Sequence, residues 1–262
     1  MKILGITWGR SVLVSFDPLA GAITEKHVWL NPREDFVGLA YDSNRNRLYA
    51  LSQVSCNLYS IDPLARDVKW IGKLDVGGGV DASALSYDPA GDVLYTIVLY
   101  GGVSGPFRSD LATVNADDAH VTVVGKIGDG LCNSLCWRES DGQLNSYIVY
   151  GSGSSASPYK ASLVTVNPMT AAMAAVFETP YHTVMGLARK PGQDAYVSYV
   201  NSDTSFYGDV DLNSRTITPL GPSNAGVGSA AMVYRNFYVA AAPNLPPCSF
   251  SDDDCLGPAS SR

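Results

Sequence analysis

The segment Gly38-Leu39-Ala40-Tyr41-Asp42, followed by Leu48-Tyr49-Ala50-Leu51-Ser52 and Asn57-Leu58-Tyr59-Ser60-Ile61, reads as three short strands separated by turns. Forms of it return along the chain with two landmarks. An apolar residue opens a strand at Leu39, Leu85, Leu135, Leu187 and Met232, at intervals of 46, 50, 52 and 45 residues. An acidic or amide residue closes another strand at Asp17, Asp62, Asn115, Asn167 and Asp211, at intervals of 45, 53, 52 and 44. No stretch carries a long helical period. A repeat of this length built from several short strands is the pattern of propeller blades, in which each small sheet buries its faces only by stacking on its neighbours.

One unit lays out as four strands, a to d. In the second unit these are 38–42, 48–52, 57–61 and 68–74, rich in Val, Ile, Leu and Tyr and bounded by Gly, Pro, Asn, Asp or Ser. A β-sandwich also spaces its strands regularly, but it does not require matched landmarks in every unit. The expected fold is therefore an all-β, five-bladed β-propeller of four-stranded antiparallel blades. The chain starts out of phase: 2–9, 11–16 and 22–30 supply strands b, c and d of the first blade. Ala231-Met232-Val233-Tyr234 supplies the missing strand a from the other end, closing the ring and removing two open sheet edges. Phe237–Ala242 competes with 2–9 for position b. The propeller takes residues 1–242, and 243–262 form a tail rich in Pro, Ser and Asp.

Tyr59-Ser60-Ile61-Asp62-Pro63 leading to Val68-Lys69-Trp70-Ile71-Gly72-Lys73-Leu74, and Gly38-Leu39-Ala40-Tyr41-Asp42 leading to Arg47-Leu48-Tyr49, resemble units of the YVTN and quinoprotein-like propeller repeat superfamily. Five blades depart from its usual larger number. The resemblance implies a fold and leaves function open, since that superfamily holds enzymes, ligand binders and interaction scaffolds.

A net charge of −7 without a basic run argues against nucleic acid, whose binding rests on neutralising phosphates. No apolar run approaches a membrane span. The expectation is a soluble, acidic, cytoplasmic protein, with secretion left open. Five cysteines leave one unpaired. Cys132 and Cys136, four apart on a strand, stand about 13 Å apart, too far for a disulfide. Cys248 and Cys255 could close a small loop in an oxidising compartment.

Function is expected at one end of the axis. The a–b and c–d turns are compact, whereas the b–c connections lengthen at 100–110, 151–162 and 201–209, as do the d–a connections at 31–37, 75–82 and 221–228. Long loops on one face of a rigid scaffold are where binding residues concentrate. Aligning the a strands brings Asp35, Asp81 and Asn133 toward the channel mouth, with Glu34 and His182 further out. Their oxygens could hold a divalent cation of the Ca or Mg type. Asp35, Asp81 and His182 are then the catalytic candidates of a metal-dependent enzyme, similar in general plan to propeller lactonases. The plainer alternative is that both aspartates cap loops. Trp8, Arg10, Tyr100, Arg108, Asn133, Tyr159, Tyr181, Asn201, Tyr207 and Asn224 are the ligand-binding candidates, because rings beside hydrogen-bonding groups suit a small molecule, a glycan or a peptide. Tyr41, Tyr49, Tyr59, Tyr87 and Tyr95 recur at repeat positions and are assigned to the core. No phosphate loop, nucleophile elbow or His-x-x-x-His pair is present. The leading reading is a ligand-binding propeller. The alternatives are a hydrolase, lactonase or natural-product cyclase or isomerase in the same cleft, or an interaction scaffold.

Overall fold

The computed structural model describes residues 3–7, 12–30, 34–53, 55–62, 67–79, 81–102, 105–151, 159–181, 183–190, 193, 195–201, 205–222 and 227–234. Its strands form five antiparallel sheets and the chain is a five-bladed β-propeller. Blade 1 comprises β1 (Ile3–Thr7), β2 (Val12–Asp17), β3 (Ala22–Trp29) and, from the far end, β21 (Val227–Tyr234). Blade 2 is β4 (Phe36–Asp42), β5 (Arg47–Ser52), β6 (Asn57–Asp62) and β7 (Asp67–Lys73). Blade 3 is β8 (Asp81–Asp88), β9 (Val93–Gly102), β10 (Gly105–Val114) and β11 (Val121–Asp129). Blade 4 splits its inner strand into β12 (Leu131–Cys132) and β13 (Cys136–Arg138), then continues as β14 (Gln143–Tyr150), β15 (Lys160–Val166) and β16 (Met173–Glu178). Blade 5 is β17 (Thr183–Arg189), β18 (Ala195–Asn201), β19 (Phe206–Asp211) and β20 (Thr216–Pro222).

The ring closes as its strand phase requires. Met232 on β21 pairs with Gly5 on β1, and Leu13 on β2 pairs with Ile6 on β1, so the two chain ends share one sheet. The competing segment 237–242 lies outside the described residues, as do 243–262.

The core is divided among the blade interfaces. Leu13, Leu39 and Tyr59 belong to the cluster joining blades 1 and 2. Tyr49, Leu85 and Tyr87 belong to that of blades 2 and 3. Tyr95, Leu135 and Ile148 join blades 3 and 4, and Tyr147, Leu187 and Tyr196 join blades 4 and 5. Phe16, Tyr207 and Val197 seal blade 5 to blade 1, with the Phe16 and Tyr207 rings 5.0 Å apart. Period-2 alternation in the inner strands feeds both faces of every sheet, so each blade is buried on two sides.

The acidic or amide landmark proves to be the first residue of a five-residue turn. Asp17, Asn115, Asn167 and Asp211 each accept a backbone N–H two residues on, at 3.0, 2.9, 2.9 and 2.8 Å. The fifth residue, Gly21, Ala119, Ala171 or Arg215, is left-handed with φ between 57° and 62°. The a–b turns of blades 2 and 3 repeat the device from Asp42 and Asp88, ending on Asn46 and Asp92 with φ of 49° and 53°. A side-chain oxygen that satisfies the turn's own amides makes the connection self-contained, which is why it needs so few residues.

Candidate functional site

Strands a run side by side around the axis, so the residues that face one another there come from different blades. A register shift falls one or two residues ahead of the landmark leucine in three of them: at Val37, at Ala84 (φ 58°) and at Gly186 (φ 62°). Such bulges re-aim the side chains that follow. In blade 4 the corresponding place is the break between β12 and β13, where serines take over from ladder bonds. Ser83 Oγ donates to Cys132 O at 2.7 Å, Ser109 Oγ to Gly130 O at 2.8 Å, and Ser146 Oγ to Ser134 O at 2.7 Å. Tyr147 N donates to Ser134 Oγ at 2.9 Å.

Asn133 sits in this break, 4% exposed. Its Oδ1 and Nδ2 both lack a hydrogen-bond partner, a state no other buried side chain among the described residues shares. Its place in the repeat matches Val37, Ser83 and Met185, in the half of strand a that follows the d–a connection.

The remaining candidates at that end divide. Asp35 is exposed, and its backbone carbonyl accepts Gln53 N at 2.7 Å. Asp81 is half-buried; burial pushes its carboxyl above the ordinary range, against hydrogen bonds from Gln53 and Ala82 N. Cys56 Sγ lies 4.0 Å from its Oδ1. Among the described residues no group of three or more His, Cys, Asp or Glu side chains is placed to hold a metal ion. Glu34 is the better-anchored carboxylate. It accepts Tyr59 Oη at 2.7 Å, Asn57 Nδ2 at 2.8 Å and Ser55 Oγ at 2.5 Å, and Ser55 Oγ also bonds Ser52 Oγ. Burial raises its pKa, but these donors outweigh burial and hold it below the usual carboxylate value.

Tyr100 and Arg108 are brought together. They pair across β9 and β10, with the guanidinium 5.1 Å from the ring centroid and bonded to the buried Asp110 at 2.7 and 2.5 Å. The expected loop over 100–110 is thus a hairpin, in which β9 runs on to Gly102 and β10 begins at Gly105. The d–a connection into blade 4 is short, unlike those at 31–37, 75–82 and 221–228. It is the single residue Gly130, where a Cβ would come within 2.8 Å of Ile148. Tyr159 is 48% exposed, and Tyr181 meets Phe206 edge to face at 5.3 Å. Asn201 closes β18 opposite Thr183. Tyr207 is fully buried against Phe16 and Tyr199, so its ring serves the blade 5–blade 1 seam and is not a surface platform. Trp8, Arg10, His182 and Asn224 lie outside the described residues.

At the other end, the axis opens into a cavity of ≈ 120 Å³. Its deepest lining residues are the landmarks Leu39, Leu85, Leu135 and Leu187, and its wall is the residue two further on in each strand: Tyr41, Tyr87, Trp137 and Arg189. Tyr87 keeps the core place expected of it, and Tyr41 packs against the core from a partly buried position, so both serve the core and line the cavity as well. Both lie near the a–b turns, where Tyr41 Oη donates to Asn46 and Tyr87 Oη to Asp92 at 2.6 Å. The recurrence of an aromatic two residues after Leu39, Leu85 and Leu135 was the available signal.

No family model matches the sequence, and no curated protein matches it. Solved structures do. A chain of the nidogen/laminin complex aligns with a TM-score of 0.59 at 10% identity, covering 88% of this chain and 97% of that one. A GH43_1 enzyme from Xanthomonas citri, complexed with xylotriose, aligns at 0.53 and 9% identity, covering 72% and 74%. A protein of unknown function from Bacteroides thetaiotaomicron aligns at 0.52 and 17% identity, covering 75% and 53%. At such identities the likeness is one of fold alone.

Proposed function

We propose that this propeller is a binding protein that takes a small polar, glycan-like or peptide ligand at the axial end carrying the b–c and d–a connections. Asn133 carries the reading. A buried donor or acceptor left unpaired costs about 1–3 kcal/mol, and an apolar residue of the same size would avoid that cost. A group that both gives and takes a hydrogen bond, such as a sugar hydroxyl or a peptide amide, satisfies both atoms at once. Arg108 over Tyr100, locked by Asp110, adds a rigid cationic and aromatic element on the same side of the ring. The fold accommodates both kinds of partner, since its structural neighbours include a xylotriose-bound enzyme and a chain of the nidogen/laminin complex.

The test pairs wild type with Asn133→Leu in thermal-shift and calorimetric titrations against methyl glycosides, small hydroxy acids and N-acetylated tripeptides. A compound that stabilises wild type should lose at least tenfold in affinity for Asn133→Leu, which itself melts no lower. Equal affinity for both proteins overturns the reading. So does a crystal in which one buried water satisfies the amide while no compound binds.

A second reading is an enzyme in the same cleft, metal-dependent and hydrolase- or lactonase-like, or a cyclase or isomerase. Asp81 favours it, because a carboxyl held above its ordinary range by burial is suited to proton transfer. Divalent-cation content and lactone hydrolysis that are unchanged in Asp81→Asn would remove this reading.

A further inference from the structure

The cavity at the opposite end belongs to none of these candidates. We infer that it is a second binding site, for a small uncharged aromatic compound of one ring with a single polar substituent.

Three observations converge. The first is shape: four blades contribute the same two positions, a leucine at depth and Tyr41, Tyr87, Trp137 or Arg189 above it, so the pocket is a product of the repeat. The second is size. At ≈ 120 Å³ the cavity compares with an engineered, hydrocarbon-lined cavity of about 150 Å³ that binds benzene. It is well under the roughly 300 Å³ at which sites for drug-sized ligands begin. One ring fits over the leucines.

The third is charge. Each of the three charged lining residues already has an opposite partner. Arg189 Nη1 is 3.0 Å from Glu139 Oε2, and Lys190 Nζ is 2.5 Å from Asp209 Oδ1. Arg189 Nε also donates to Gln193 O at 3.1 Å. A charged ligand would have to break one of these pairs, whereas a neutral ring leaves them intact. The paired groups stand above the leucines, at the turn end of strands a, so a hydroxyl or amine on the ring meets them at the open mouth. The walls are preorganised as well. Trp137 is parallel to and offset from the buried Tyr95, with ring centroids 6.1 Å apart and planes 6° apart, and its backbone N–H donates to Ser86 Oγ at 2.7 Å. A stiff aromatic wall loses little entropy when a ring stacks on it.

The experiment uses the full chain with phenol as probe and benzoate as its charged counterpart. Methyl and indole resonances are followed by NMR. Phenol should shift and saturate signals of Leu39, Leu85, Leu135, Leu187 and Trp137, with intermolecular NOEs to the leucine methyls. Benzoate should bind at least tenfold more weakly. Leu187→Phe, which fills the cavity, should abolish the phenol shifts; Trp137→Leu serves if that variant fails to fold. Absence of saturable shifts at these leucines, or benzoate binding as well as phenol, overturns the assignment. An acetylated leucine-containing peptide that displaces phenol and binds more tightly would replace the small molecule with a protein segment. None of these outcomes bears on Asn133, so the two sites stand or fall separately.

Discussion

A Cβ on Gly38 would stand 2.9 Å from the carbonyl carbon of Ala84, across the seam between the inner strands of blades 2 and 3. The atom it would meet is backbone, which cannot rotate aside. Gly38→Ala should therefore cost about 1–3 kcal/mol, the usual range for overpacking, and lower the denaturant midpoint with the m-value unchanged. Chemical unfolding curves of the two proteins check it.

The seam between blades 5 and 1 closes the ring, and Phe16 is fully buried in it. Phe16→Ala should cost about 3–5 kcal/mol. Trp70, 61% exposed on the outer strand of blade 2, is the control, and Trp70→Ala should stay under about 1 kcal/mol. Thermal melts of both variants measure the contrast. Similar losses would mean that the seam contributes no more than the rim.

The turn from Asp211 to Arg215 separates two local effects. Asp211 Oδ1 accepts Asn213 N at 2.8 Å and Ser214 N at 3.3 Å, and Asp211→Ala should cost about 1 kcal/mol. Arg215 is exposed at φ 57°, a conformation that costs an L-residue about 1–2 kcal/mol. Arg215→Gly relieves that strain but adds unfolded-state entropy, so the net gain should be about 0.5 kcal/mol. Denaturation midpoints should move in opposite directions for the two variants.

Glu34 and Asp81 should give opposite pH signatures. The folded-state pKa of Glu34 is lowered, so its contribution is present above the unfolded carboxylate pKa and is lost as pH falls through the folded value. Glu34→Gln should cost about 1.5–3 kcal/mol at pH 7, since its hydrogen bonds are to a charged group, and much less at pH 3. That of Asp81 is raised, so its protonated form is favoured and stability declines as pH rises through the folded value. Asp81→Asn should raise the melting temperature at pH 7 and have a smaller effect at pH 3. Melting temperatures of the three proteins from pH 3 to 8 check both signs.

The blades were legible because their signals are local. Alternation along 48–52 and 57–61 names strands from neighbouring residues, and Asp17 or Asn167 names a turn whose hydrogen bonds span two residues. Even the ring closure could be read, since a first unit lacking strand a and a last strand lacking partners leave one economical pairing. The site was less legible. Tyr207 has the composition of a binding residue and the alternation of a strand, and only Phe16 from the other end of the chain makes it core. Tyr100 and Arg108 read as loop residues until the hairpin that carries them is seen to extend.

Blade number and the order in which sheets close were set by the sequence alone, because both rest on the recurrence of short strands and of the residues that end them; the break of blade 4's inner strand into β12 and β13 was not. Tertiary structure alone decided that Asn133 is buried without partners, that Glu34 gathers three donors, and that the repeating leucines line a cavity at the end of the compact turns. Those facts depend on contacts between residues one blade apart, and a bulge of a single residue redirects the side chains that make them. The pattern of one strand cannot record what its neighbour's bulge turns toward it.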